Sequence, residues 1–116
     1  MKAKVSIPIF FGDLVITQTK SLKWVGKKYG YEIGDEAALA FSEPYKNGVS
    51  RYFLCFKKGD TILKDVIHEC YHLVRFICNE RGIDFQNDEV GAYIIGWAYE
   101  QCVKHLKLNE CTQKNS

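Results

Sequence analysis

Residues 61–81, TILKDVIHECYHLVRFICNER, keep a helical period throughout and are closed by Gly82, and nothing else in the chain limits its fold as strongly. A helix of that length reaches about 30 Å, roughly the width of a small domain. On a wheel turned at about 100° per residue, Leu63, Val66, Ile67, Cys70, Leu73, Val74 and Ile77 share one arc. That arc needs an apolar partner, which the rest of the chain must supply. Asp60 is the expected N-cap.

The partner reads as a sheet. Residues 4–18, KVSIPIFFGDLVITQ, are β-branched and aromatic with a break at Gly12-Asp13, which predicts a hairpin. A short helix follows to about Lys28, capped by Thr19 or Ser21, with Leu22 and Val25 inward and Lys20, Lys23 and Lys27 outward. Ala37–Tyr45 and Ser50–Phe56 form a second extended pair around the turn signal Asn47-Gly48. After the motif helix, Asn87 or Asp88 caps a last helix to about Leu106, and a polar tail begins at Lys107. The order ββ-α-ββ-α-α predicts one α+β domain over 1–116, with a small antiparallel sheet packed against helices.

Bulk properties set the expectations. A net charge of +2, with Lys and Arg spread along 116 residues, is too weak a signal to argue for nucleic acid or for an anionic membrane surface, and neither partner is expected. Five cysteines without a C-x-x-C pair fit scattered thiols in a reducing compartment better than a disulfide framework. The apolar run VSIPIFF is too short for a membrane span and a poor signal peptide. A cytoplasmic protein is the expectation.

Within the long helix lies HECYH. Histidines at i and i+4 stand one above the other, with Cβ atoms about 5–6 Å apart, so two imidazole nitrogens can meet one ion at the usual zinc distance of about 2.0–2.1 Å. The pair is His68 and His72. Glu69 is turned about 100° from His68, too far round to ligate beside it but placed to reach water at the ion's open position. The helix wheel puts both histidines nearly opposite the apolar arc, together with Asp65 and Asn79. Core histidines are therefore disfavoured, and ordinary surface histidines remain the competing reading. Cys70 points into the arc and reads as core filler.

A catalytic zinc takes three protein ligands. Glu89, in NDEVGAY, is the expected third, because a loop after Gly82 can bring a new helix back alongside at about 8–10 Å. Gly91, Ala92 and Gly96 would permit that approach. Glu100 and His105 fall about 16 Å and 24 Å further along the helix, and Asp88 suits a cap better. Tyr93, one turn after Glu89, is a candidate donor to the oxyanion formed during carbonyl attack, with a half-buried aromatic as the plain alternative. Asp65 is a candidate carboxylate for orienting an imidazole, and a solvated charge explains it equally well.

The stretch DVIHECYHLVRFICNERGIDFQNDEVGAYIIGW, residues 65–97, resembles small zinc metallopeptidases of bacteriophages and prophage-like elements, a minimal gluzincin-like zincin. The resemblance implies one Zn2+ held by His68, His72 and Glu89, with Glu69 as general base and a peptide or protein substrate. It also implies that a strand before the motif helix, around Ser50–Phe56, lines the cleft and can take an extended peptide by strand addition. Peptide-bond hydrolysis by metal-activated water is the leading expectation. The alternative is a non-catalytic zinc-bearing module that sequesters a protein partner. A third reading makes HECYH coincidental, in an interaction protein without metal.

Overall fold

The computed structural model describes residues 1–8, 12–44, 50–84 and 88–108. The Asn47-Gly48 turn, Asn87 and most of the polar tail lie outside the described residues. Strands β1 (Lys2–Ser6) and β2 (Asp13–Thr19) are followed by helix α1 (Lys23–Tyr29), strands β3 (Ala38–Pro44) and β4 (Ser50–Lys57), and helices α2 (Leu63–Arg81) and α3 (Asp88–His105). The fold is α+β, and the elements match the periodicities to within a few residues.

The sheet order is β1-β2-β4-β3. β1 and β2 form the expected antiparallel hairpin, with Lys2 opposite Thr17 and Ser6 opposite Asp13. β3 and β4 are likewise antiparallel, with Ala38 opposite Phe56. The sheet as a whole is nevertheless mixed, because β4 runs parallel to β2, from Asp13 beside Arg51 to Thr19 beside Lys57. This corrects the antiparallel expectation. The connection through α1 carries the chain past one strand position, β3 takes the edge, and β4 returns into the gap. A crossover of that kind is what a parallel pair needs.

That order also overturns the cleft strand inferred above. β4 is hydrogen-bonded on both sides, to β2 and to β3, so it has no edge to offer a peptide. The edge strand beside it is β3, and α2 packs over both.

Alternation along the strands divides the core into two layers. Leu14, Ile16, Tyr52, Leu54 and Phe56 face α2 and α3, meeting Val66, Cys70, Leu73, Val74 and Ile77 of α2 and Ile94, Ala98 and Cys102 of α3. Val15, Phe53, Cys55 and Phe41 face the other way, toward Leu22 and Val25 beside and within α1. Period 2 in the strands thus places α1 on one face and the helix pair on the other.

Helix α2 ends as its sequence demands. Gly82 adopts φ 67° and ψ 24°, and its N–H returns to the Cys78 carbonyl. A left-handed residue costs glycine nothing there. Its start differs from expectation: the N-cap is Ile62, without a side-chain cap bond, and Asp60 instead pairs with Lys57 at 3.4 Å. Ser21 does serve α1, accepting from the Lys23 N–H at 3.2 Å. Ile67 is also corrected, since it is 51% exposed while Glu69 turns inward. Val74, on nearly the same side as Ile67, is covered by α3, but Ile67 lies seven residues earlier and is not.

Two polar contacts tie the ends of the fold together. The buried Gln18 amide donates to Thr61 Oγ1 at 2.9 Å and to the Lys107 carbonyl at 2.7 Å, and accepts from the Lys107 N–H at 2.9 Å. This anchors the end of α3 to β2. Tyr52, fully buried in β4, donates its hydroxyl proton to Glu80 in the last turns of α2. Burial first, and then that carboxylate, push the Tyr52 pKa up to about 12. The folded state therefore holds this proton more tightly than the unfolded chain does. The contribution is full below the ordinary tyrosine value of 10.0 and is lost as the pH rises to about 12. Tyr52→Phe is expected to lose about 1–2 kcal/mol at neutral pH in denaturant unfolding. The wild type's advantage over the variant should disappear across that alkaline window.

Candidate metal centre

The histidine pair sits where the wheel puts it, on the solvent side of α2. The two Nε2 atoms approach to 3.1 Å, with ring centroids 4.8 Å apart and planes at 75°. Two nitrogens on one tetrahedral zinc ion at about 2.0–2.1 Å would lie roughly 3.3–3.4 Å apart. The spacing is thus close to that of two ligands of one ion, and both rings already present the same nitrogen. Neighbours on α2 hold the His72 ring: Phe76 stacks with it at 6.5 Å and 23°, and Tyr71 meets it edge-on at 6.2 Å. These two aromatics were missed from sequence. Their signal was local, since Phe76 is one helical turn beyond His72.

Glu69 completes the group. Ligating atoms of His68, Glu69 and His72 all lie within 4.8 Å of one another, a set that could hold a metal ion. Unlike the rings, Glu69 is buried, at 7% exposure. Desolvation raises its pKa above the ordinary carboxylate value; His68 opposes that shift and Asp65 adds to it. A carboxylate of raised basicity beside two imidazoles is suited to accepting a proton from water. Asp65 is half-buried, one turn before Glu69, and its electrostatic effect falls on Glu69. The imidazole-orienting role expected for it is not the contact seen.

Glu89 and Tyr93 are not brought to this group. α3 meets α2 through Gly91, whose Cα faces Val74 with an added Cβ only 3.9 Å from Val74 Cγ1, and through Cys102 against Cys70. Val74 is about 160° around α2 from His72, and Cys70 about 160° from His68. The helices therefore pack through the flank opposite the histidines. On α3 itself, Glu89 is about 160° from Gly91, and it is exposed. Tyr93, 48% exposed, shares that outer side. Gly96 and Ala92 are also exposed rather than wedged between the helices, and space around Gly96 is open. Of the small residues expected to let the helices approach, Gly91 is the one at the contact.

Cys70 is fully buried, as core filler should be. Cys55, Cys70, Cys78 and Cys102 are all free thiols. The Cys70 contact and burial together push the Cys102 thiol pKa up, which leaves it unreactive as a nucleophile. No helix is long and apolar enough to cross a membrane among the described residues.

The geometry separates the candidate ligands by a binding measurement. His68→Ala or His72→Ala is expected to abolish one-to-one zinc binding in calorimetric titration, while Glu89→Ala leaves it unchanged. A Glu89 variant that loses the metal as completely as the histidine variants would show that α3 reorients on binding. No protein-family model, curated protein or solved structure matches this chain.

Proposed function

We propose that the protein is a zinc-dependent hydrolase of peptide bonds, of the minimal zincin type that residues 65–97 resemble. The observation that carries this reading is the convergence of His68 Nε2 and His72 Nε2 beside the buried Glu69 carboxylate. Imidazole suits zinc, and His68 and His72 would supply two of the three protein ligands that a catalytic zinc takes. Zinc, when bound, supplies Lewis acidity that lowers the pKa of coordinated water toward about 7 and polarises a carbonyl oxygen.

The chain's own residues do the rest. His68 and His72 would hold the ion from one face of α2. Glu69, fixed by burial at the edge of the core, accepts a proton from the attacking water and delivers it to the leaving amine. Its raised pKa favours the first half of that transfer, the uptake of the proton. An extended peptide would lie along β3, the edge strand over which α2 packs, and hydrogen-bond through its main chain.

Glu69→Gln tests the assignment. The variant is nearly isosteric and should retain zinc at one equivalent while losing cleavage of a denatured protein substrate. Wild-type protein should cleave in the presence of zinc and stop on adding a chelator. Cleavage by the variant at the wild-type rate would contradict the role of Glu69. Tight, zinc-dependent retention of the substrate without fragments would favour the sequestering module instead.

A further inference from the structure

Helix α3 carries apolar residues on both of its sides. Ile94, Ala98, Cys102 and Leu106 are buried against the core. On the outer side Tyr93 and Val103 are 48% and 42% exposed, and Ala92 and Gly96 are also open to solvent. A helix at the surface of a lone domain turns a polar face outward, whereas one that is apolar all round is covered on every side. Among the described residues nothing covers the outer side of α3.

Gly96 sharpens the point. It stands in the middle of α3, where glycine is a poor helix former, yet a Cβ added to it would meet no atom within 4 Å. The single chain therefore has no use for the missing side chain, in contrast to Gly91, which faces Val74. Two open grooves, of about 490 and 380 Å³, meet at this position and share Gly96 and Glu100. The first runs on to Val103 and Lys104, the second back to Ala92 and Tyr93.

Charge indicates what covers the face. At about 100° per residue, Glu89, Tyr93, Gly96, Glu100 and Val103 fall within an arc of about 80°, and Lys104 borders it. The face thus begins at an exposed carboxylate, Glu89, and ends at an exposed ammonium, Lys104. Such a face complements itself when a second copy is turned end for end, which also lays opposite helix dipoles side by side.

We propose that the outer face of α3 docks a second copy of this chain, in an antiparallel pair with its two-fold axis at Gly96. That axis sets Ala92 of one copy level with Glu100 of the other, and Glu89 level with Val103, next to Lys104. An ion pair between Glu89 and Lys104 closes each end. Tyr93 of each copy enters the groove of the other beside Gly96, and its hydroxyl donates to the Glu100 carboxylate, so the acidic group in the middle of the contact is paired. The absent Cβ of Gly96 lets the two helices approach. A face about 22 Å long and one helix wide buries less than the roughly 1,200 Å² of a standard interface. The pair accordingly forms at micromolar rather than nanomolar concentration.

Sedimentation equilibrium of the full chain tests the proposal, with EDTA present so that zinc cannot bridge the exposed histidines of two copies. Between about 1 and 300 μM the average mass is expected to rise from that of one chain toward that of two. Gly96→Gln introduces a better helix former without adding apolar surface. It should weaken pairing about tenfold or more while keeping the helical circular dichroism and raising the thermal midpoint of the dilute chain. Glu89→Lys and Lys104→Glu should each weaken pairing about tenfold, since by symmetry each turns two attractive contacts into repulsive ones. Combined in one chain, the two reversals should restore pairing to within about twofold of wild type. The mass of one chain throughout that range, undiminished pairing or a lost fold in Gly96→Gln, or failure of the double reversal to restore pairing would each overturn the proposal.

Discussion

Everything in this molecule is hung on one contact, the apolar flank of α2 against the sheet. Val66, Leu73, Val74 and Ile77 are each almost fully removed from solvent, and each contributes about 1.5–3 kcal/mol. Together they exceed the few kcal/mol needed to keep one carboxylate at the edge of that core. The helix therefore settles with Glu69 inward, and its rotation leaves His68 and His72 outward. A single packing choice sets the burial, the basicity and the exposure of all three polar groups.

The second helix of the pair is placed by the same contact. α3 takes the flank of α2 left open by the sheet, through Gly91 and Cys102, and Gln18 then fastens its end to β2. Since that flank lies opposite the histidines, the His68–Glu69–His72 group is built on one helix rather than between two.

Local features were legible in the chain because local physics produces them. Gly82 stops α2 by taking a conformation that other residues avoid, and the unbroken apolar run RYFLCF marks β4 as a strand that packs helices on both faces. The His68–Glu69–His72 group was equally readable, since all its geometry is internal to one helix. What sequence hid was the placement of elements relative to one another. Nothing in Ser50–Lys57 says that it would enter between β2 and β3. Nor does Ile67 differ in character from Val74, although α3 covers one and not the other. Glu89 fails to reach the pair for that reason: its distance along the chain was permissive, but the side of α2 chosen by α3 was not encoded locally.

Zinc K-edge X-ray absorption on the loaded protein tests the histidine pair most directly. The account predicts a first shell of nitrogen and oxygen at about 2.0–2.1 Å, with outer-shell scattering from two imidazoles that is lost in a His68→Ala, His72→Ala double variant. A shell without imidazole scattering, or one unchanged in the double variant, would contradict it.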